Sequence, residues 1–293
     1  MTGLTGCVAD DDQGSGVVVT TNILGDITRQ VIGDEAEVTV LMKPNADPHS
    51  FGISAQQAAL IEDASLVVYN GLGLEEGVLR NVQAAQDAGV ATLEVGAQVD
   101  PIDFGHTADD TAGQPDPHFW TDPRRVRTAV ETITDHVVAE VEGVDAEAVR
   151  ANAEGYLEQV DELDAWMDES FAAIPPERRS LVTNHHVFGY LAQRYDFEVV
   201  GAVIPSGTTL ASPSSSDLDA LADTIREAGV PAIFADSSQP DRLARVLADE
   251  VGLRVEVVEL FSESLTEPGE GAGTYLDMMR ANTEAIAAGL GEN

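Results

Sequence analysis

The hydrophobic residues of the chain follow two alternating spacings. Short runs of apolar, mostly β-branched residues alternate with longer segments in which apolar residues recur every three or four positions. The first pattern is typical of buried strands in a parallel sheet, and the second of helices that cover such a sheet. The pattern therefore predicts an α/β fold. The predicted strands are residues 17–21, 38–41, 66–69, 92–95, 180–183, 199–204, 232–235 and 254–258, and the predicted helices include 54–62, 75–88, 186–195, 214–228, 240–251 and 275–290.

A long helix is predicted between the two groups of strands. Apolar residues keep a spacing of three and four from Val149 to Phe171, and the pair Pro175-Pro176 ends the pattern. About thirty residues at about 1.5 Å each form a rod of about 45 Å, which is too long for one small domain. We therefore expect two α/β lobes with parallel sheets flanked by helices, joined by one long backbone helix. The expected divisions are a flexible tether at 1–16, a first lobe at 17–144, the linking helix at 145–176 and a second lobe at 177–293.

The charge is strongly negative along the whole chain. There are 52 Asp and Glu residues against 15 Lys and Arg, the formal net charge is -37, and Lys43 is the only lysine. This balance excludes a general nucleic-acid binder, which needs a basic face. No apolar run approaches the roughly 20 residues that span a bilayer, which excludes a membrane channel or permease. Such acidity indicates adaptation to concentrated salt, which screens the repulsion between carboxylates. An ordinary acidic surface is the alternative.

The first residues resemble a lipoprotein processing site. The segment Leu4-Thr5-Gly6-Cys7 has the Leu-x-Gly-Cys form, and a polar stretch follows it. This predicts that Cys7 carries a lipid anchor. A complete signal has a charged start and an apolar segment upstream, but only six residues precede Cys7, so a chance match is the alternative. Cys7 is the only cysteine, which excludes a disulfide scaffold and a multi-cysteine metal site.

Four residues with metal-binding side chains stand after predicted strands. His49 and His118 each end an Asp-Pro-His triplet, in which the proline stiffens the backbone beside the imidazole. His185 directly follows a predicted strand, and Glu263 follows the last one. Parallel sheets bind ligands at the carboxyl ends of their strands, so we expect these side chains to meet, two from each half. Three neutral imidazoles and one carboxylate form a complete tetrahedral set for zinc; the alternative is that they are unrelated loop residues.

Two other histidines have no such context. His136 lies inside an amphipathic helical pattern beside an aspartate, where we expect a surface or packing role. His106 lies in an acidic loop, where we expect it to be solvated. Neither is counted as a metal ligand.

Several ordered motifs around the four residues resemble the solute-binding proteins of zinc and manganese ABC importers. The resemblance covers nearly the whole chain from Val17 onward. It implies two α/β lobes joined by one long helix, with a metal ion held between the lobes by His49, His118, His185 and an acidic residue at Glu263. The motifs are KPNADPHSF at 43–51, VVYNGLGLE at 67–75, DPHFWTDP at 116–123, HHVFGY at 185–190, IFADSS at 233–238, FSESL at 261–265 and GTY at 273–275.

Two positions depart from the family pattern. Glu263 stands where the family usually has Asp, and its extra methylene alters its reach or allows bidentate ligation. Asp236 stands where the family usually has Glu, and we interpret it as a residue that orients a ligand, with direct ligation as the alternative. His186 falls at a variable position of the family and is not counted as a ligand.

The donor set also favours one metal and argues against catalysis. Three imidazoles favour Zn²⁺ over Mn²⁺, which prefers oxygen-rich ligands. Members of the family with two histidines and two carboxylates look like manganese receptors, so the resemblance implies that His185 is the discriminating residue. A hydrolytic zinc needs an open position for water, whereas four protein ligands close the shell. The sequence has no His-Glu-x-x-His helix, Gly-x-Ser-x-Gly turn or phosphate-binding glycine loop, so we expect no enzyme. A zinc-dependent hydrolase is the competing class.

The resemblance implies a receptor for metal import. Such a protein is a monomer, lipid-anchored on the extracellular face of the cell membrane, that delivers Zn²⁺ to an ABC permease and its ATPase subunit. A manganese or iron receptor of the same family and a surface adhesin of the same fold are the alternatives. Because the long helix limits hinge motion, we expect small lobe shifts and loop changes when metal binds.

Overall fold

Two parallel sheets of four strands each organise the chain. The structure is a computed structural model that describes residues 16–105, 111–251 and 255–291, so Cys7, His106 and nearly all of the expected tether at 1–16 lie outside the described residues. The two parallel sheets, with helices between their strands, confirm the predicted α/β fold. The first sheet contains β1 (Val17–Val19), β2 (Val38–Val40), β3 (Leu66–Tyr69) and β4 (Ala91–Glu94), and the second contains β5 (Ser180–Thr183), β6 (Glu198–Ala202), β7 (Ala232–Asp236) and β8 (Glu256–Leu260).

The two sheets share one strand order. It is β2-β1-β3-β4 in the first sheet and β6-β5-β7-β8 in the second, and the strand pairs are parallel. In each sheet the chain moves to one side of its first strand and then crosses to the other side. Such a reversal opens a crevice at the carboxyl ends of the strands, where ligands bind. We call the part of the chain at 16–140 the first half and the part at 180–291 the second half.

Helices cover both sheets, and capping residues mark where several of them begin. Ser54 and Ser214 accept hydrogen bonds from the N–H groups of Gln57 and Asp217, whose side chains bond back to the caps. No helix in the described part of the chain combines the length and apolar character needed to cross a membrane. The helices are α1 (Asn22–Ile32), α2 (Ala55–Glu62), α3 (Glu76–Asp87), α4 (Pro123–Glu140), α5 (Ala146–Ala172), α6 (Gly189–Tyr195), α7 (Ser215–Ala228), α8 (Arg242–Val251) and α9 (Tyr275–Leu290).

Helix α5 packs against both halves. Its 27 residues form a rod of about 40 Å at about 1.5 Å per residue. Asp145 caps its start, and the helix contacts α1 and α4 of the first half and α9 of the second half. The exact division into lobes at 144 and 177 stays a prediction. The buried residues of α5 recur every three or four positions, at Val149, Ala153, Tyr156, Val160, Leu163, Met167 and Phe171.

One hydrophobic cluster runs through both halves around α5. It joins Val17 and Phe119 of the first half to Phe171 of α5 and to Phe234 and Leu290 of the second half. Separating the halves on this side exposes apolar surface to water, which is unfavourable in proportion to the exposed area. We therefore expect the α5 side of the molecule to stay closed when the opposite side opens.

The start of α6 and the position of β8 differ from the prediction. The helix predicted from residue 186 begins only at Gly189, because Val187 and Phe188 belong to a loop that is buried in the core cluster. Strand β8 covers Glu256–Leu260 rather than 254–258. Apolar residues of a buried loop imitate helical spacing, so local pattern alone misplaces such a boundary.

Candidate metal centre

Three imidazoles and one carboxylate meet in a buried cluster between the two halves. One nitrogen or oxygen atom from each of His49, His118, His185 and Glu263 lies within 4.8 Å of the others. Glu263 Oε1 lies 3.1 Å from His185 Nε2 and 3.5 Å from His118 Nε2, and Glu263 Oε2 lies 3.7 Å from His49 Nε2. All four side chains are buried. The structure thus brings together the four residues that the sequence analysis selected, and we call them the four-residue cluster.

Each member of the cluster follows the carboxyl end of a strand. His49 lies in the loop after β2, His185 comes shortly after β5, and Glu263 comes shortly after β8. His118 ends the long connection after β4 and directly precedes the 3-10 turn Phe119–Thr121 that leads into α4. The fold therefore positions each side chain at the edge where parallel sheets bind ligands.

The two Asp-Pro-His triplets have the same local structure. Asp47 Oδ1 accepts the backbone N–H of His49 at 2.9 Å, and Asp116 Oδ1 accepts the backbone N–H of His118 at 2.9 Å. Asp116 Oδ1 also lies 2.7 Å from His118 Nδ1, which orients the ring and leaves Nε2 facing Glu263. The sequence analysis explained the repeat by the proline and missed the aspartates. Their constant place two residues before each histidine was the available signal.

Several polar atoms of the cluster have no hydrogen bond. Within the described residues, both ring nitrogens of His185 and both carboxylate oxygens of Glu263 are buried and lack a hydrogen-bond partner. A buried polar group without a partner costs about 1–3 kcal/mol, so such groups are rare unless a ligand engages them. A cation placed among these atoms satisfies the carboxylate and one nitrogen of each ring together. The donor set therefore fits a small divalent metal ion.

Burial controls the protonation of the cluster. It lowers the pKa of His49 and His118 well below 6.5, and the neighbouring imidazoles lower it further. Burial also lowers the pKa of His185, although nearby carboxylates oppose this. Burial raises the pKa of Glu263 well above 4.5, and nearby carboxylates raise it further. The three rings are therefore neutral nitrogen donors, and the Glu263 carboxyl holds its proton to a higher pH than an exposed glutamate does.

Asp236 lies outside the four-residue cluster and holds the segment that carries Glu263. Its Oδ2 accepts the backbone N–H of Ser262 at 3.1 Å, and its Oδ1 accepts the backbone N–H of Ser238 at 2.8 Å. The hydroxyl groups of both serines donate to the same two oxygens. Because four donors occupy these oxygens, the geometry favours an orienting role for Asp236 over direct ligation.

The other described histidines stand apart from the cluster. His186 is buried, and its backbone N–H donates to Ser206 O at 3.0 Å. His136 is half-buried on α4 with its Nδ1 2.9 Å from Thr132 O. Neither belongs to the group of possible metal-binding side chains found among the described residues.

Trp120 connects the segments that carry His118 and Glu263. Its indole Nε1 donates to Ser262 O at 2.9 Å, and its own carbonyl accepts the hydroxyl of Tyr275 at 3.0 Å. Its ring lies edge-on to the His118 ring, with 5.3 Å between the centroids. These contacts join the two halves beneath the cluster. The sequence analysis did not single out this tryptophan, because its partners lie 142 and 155 residues away.

The sequence and the fold both match known metal-transport proteins. The family model described as zinc-uptake complex component A, periplasmic (ZnuA), matches residues 17–289. The zinc-binding protein TroA of Treponema pallidum is 31% identical over 300 residues, covering 99% of this chain and 94% of that protein. The solved structure of TroA superposes with a TM-score of 0.86 at 28% identity, covering 95% of this chain and 100% of that chain.

Other relatives are named for different metals. The manganese-binding lipoprotein MntA of Halalkalibacterium halodurans is 28% identical over 284 residues, covering 97% of this chain and 91% of that protein. The iron-binding protein YfeA of Yersinia pestis is 29% identical over 276 residues, covering 94% of this chain and 86% of that protein. Overall similarity therefore does not distinguish zinc, manganese and iron.

Proposed function

We infer a role in metal import because the chain belongs to the family of zinc-uptake complex component A, whose members are the substrate-binding proteins of metal ABC transporters. The protein captures a divalent transition-metal ion and delivers it to an ABC permease and its ATPase subunit. The observation that carries this proposal is the buried four-residue cluster, in which His49, His118, His185 and Glu263 are the proposed ligands. Asp236 is the proposed orienting residue of Glu263.

Zn²⁺ is the proposed cargo. Three imidazole nitrogens suit zinc better than manganese, which prefers oxygen ligands, and four donors at close range suit a tetrahedral ion. A complete protein shell also leaves no position for a reacting water, which supports binding rather than hydrolysis. Mn²⁺ is the alternative cargo, because relatives named for manganese share the fold and the full length.

Membership of the same family also supports proposals about the lobes, the oligomeric state and the membrane anchor. We propose that the regions 17–144 and 177–293 act as two lobes joined by the helix within 145–176, and that the protein works as a monomer. We also propose a lipid anchor at Cys7 that holds it on the extracellular face of the cell membrane. The support is the Leu-x-Gly-Cys sequence and the relatives named as lipoproteins.

Elemental analysis of protein purified in molar salt without chelators tests the proposed function. We expect about one bound metal ion per chain, and in competition we expect Zn²⁺ to displace Mn²⁺. The variant His185→Ala should lose the metal. The matched control His136→Ala should retain it, because His136 lies on α4 outside the cluster. A wild-type chain that takes up no zinc, manganese or iron contradicts the proposal. If the chain retains Mn²⁺ in preference to Zn²⁺, manganese rather than zinc is the cargo.

The affinity for Zn²⁺ is expected to fall as the pH is lowered, and protonation of Glu263 is expected to contribute to the fall. Because burial raises the pKa of Glu263 above 4.5, protons compete with metal there at a pH where an exposed glutamate is ionised. Protons compete for the imidazoles only in more acidic solution than they do for an exposed histidine, because burial lowers the pKa of His49 and His118 below 6.5. Below the pKa of Glu263 the dissociation constant should rise by up to about tenfold per pH unit for this one proton.

Metal titrations of wild type and Glu263→Gln across pH provide the measurement. The glutamine variant binds more weakly than wild type where Glu263 is ionised, but its amide has no proton for the metal to displace. Its affinity should therefore depend less steeply on pH in the range where Glu263 titrates. Equal slopes in the two proteins show that another group governs the pH dependence.

A further inference from the structure

The carboxylate of Asp47 contacts both halves of the molecule. Its Oδ1 accepts the backbone N–H of His49 at 2.9 Å. Its Oδ2 accepts the hydroxyl of Thr209 at 2.6 Å and the side-chain amide of Gln239 at 2.8 Å. Thr209 and Gln239 lie 162 and 192 residues beyond Asp47 and belong to the second half. One carboxylate thus joins the loop of a proposed metal ligand to two separate segments across the cleft.

The two segments that Asp47 holds are connections at the carboxyl edge of the second sheet. Thr209 lies in the loop between β6 and α7, and Gln239 lies in the turn between β7 and α8. Both side chains are half-buried, whereas Asp47 is only 7% exposed. These connections therefore border solvent, while the carboxylate that they bind is buried.

The loop between β6 and α7 reaches the first half at a second point. The N–H of Gly207 donates to the hydroxyl of Thr111 at 3.1 Å. A Cβ atom on Gly207 would lie 2.2 Å from the Phe104 ring, so only glycine fits there. Phe104 in turn lies beside the His118 ring, with 6.0 Å between the centroids. This loop thus lies against both first-half segments that carry proposed ligands.

Elsewhere the two halves are joined by contacts of another kind. There the core cluster surrounds α5, and Trp120 bonds to Ser262 beneath the metal site. Separating the halves around α5 exposes a large apolar surface, whereas separating them at Asp47 breaks hydrogen bonds that water can replace and exposes little more than the Phe104 ring. A path for the metal is therefore far less costly on the Asp47 side.

We propose that Asp47 is a positioning residue that latches the loops of Thr209 and Gln239 over the bound metal, and that the metal leaves when these two hydrogen bonds break. The inference rests on the proposed function, because it concerns the release of the captured ion. Bonds to a carboxylate are stronger than bonds between neutral groups, so each one contributes to retention. Because both bonds share one acceptor, their effects are coupled.

The rate of Zn²⁺ release to an excess of chelator in molar salt measures the latch. We expect Thr209→Val and Gln239→Leu each to release the ion about tenfold faster than wild type, because each removes one hydrogen bond to a charged group. The matched control is Thr208→Val. Thr208 precedes Thr209 in the chain, but its hydroxyl accepts the N–H of Leu210 rather than bonding to Asp47. It should release zinc at the wild-type rate. Zinc association should be unchanged in all three variants, since no proposed ligand is altered.

Measuring Thr209→Val in the Asp47→Ala variant, which lacks the shared acceptor, distinguishes the proposed latch from a general effect on packing. In Asp47→Ala, the further change Thr209→Val should leave the release rate where it is, because the shared partner is gone. Wild-type release rates in both single variants overturn the inference while the proposed function stands. So does a Thr209→Val effect that persists in full in the Asp47→Ala background. A wild-type protein that holds no metal overturns the proposed function and the inference together.

Discussion

Replacing His118 with alanine is expected to remove most of the thermal stabilisation that Zn²⁺ gives to this protein. The His118 ring is fully buried, with its Nε2 3.4 Å from His49 Nε2 and 3.5 Å from Glu263 Oε1. At a free concentration 100-fold above the dissociation constant, a metal that binds only the folded state stabilises it by about 2.7 kcal/mol. Loss of a partner that merely orients a ligand weakens binding by about 10- to 100-fold, and loss of a ligand should cost at least the upper value. The same metal concentration then stabilises the variant by only about 0.4 kcal/mol.

The measurement is the shift in unfolding temperature on adding Zn²⁺, compared between variants. The shift is the relevant quantity, because His118→Ala also leaves a cavity beside Trp120 that lowers the stability of the metal-free protein. His136→Ala serves as the control and should show the full wild-type shift. If His118→Ala also keeps the full shift, the metal binds elsewhere and the four-residue cluster is not the site.

The element order and the long helix could be predicted because their signals are local. Strands of a parallel sheet are apolar on both faces, so runs such as Leu66–Tyr69 stand out against the helices. Helix α5 has a capping aspartate at one end and Pro175 just beyond the other, and both signals are visible in the sequence. The start of α6 was misplaced because Val187 and Phe188 are buried by contacts with distant parts of the chain.

The four-residue cluster could be predicted because topology places strand ends together. His185 and Glu263 were identified because each follows a predicted strand, although β8 lies two residues later than predicted, and the repeated triplet marked His49 and His118. The supporting hydrogen bonds could not be predicted in the same way. Asp47 and Gln239 are 192 residues apart, and nothing in the local sequence of either residue indicates the other. Such pairs depend on how two halves dock, which hydrophobic spacing does not encode.

Lowering the salt concentration is expected to unfold this protein. The formal net charge of -37 is distributed along the chain, and helix α5 shows the local consequence. Glu154, Glu158 and Glu162 are exposed and follow one another at intervals of four residues, a spacing at which like charges destabilise a helix. Salt reduces the range of this repulsion, from about 10 Å at 0.1 M to about 3 Å at 1 M. Since a typical domain is stable by only about 5–15 kcal/mol, we expect the repulsion summed over the surface to remove that margin in dilute salt.

Circular dichroism at increasing KCl concentration gives the salt midpoint of folding. Glu158→Lys turns two repulsive pairs with Glu154 and Glu162 into attractive ones, whereas Glu158→Gln only removes the repulsion. The midpoint should therefore fall in the order wild type, Glu158→Gln, Glu158→Lys, with each step small because a single pair contributes about 0.2–0.5 kcal/mol. This order is expected if repulsion between these glutamates opposes folding in dilute salt, and one common midpoint for all three proteins would show that they do not contribute to the salt requirement. A wild-type melting curve that is unchanged between molar and dilute salt shows that the acidic surface is not an adaptation to salt.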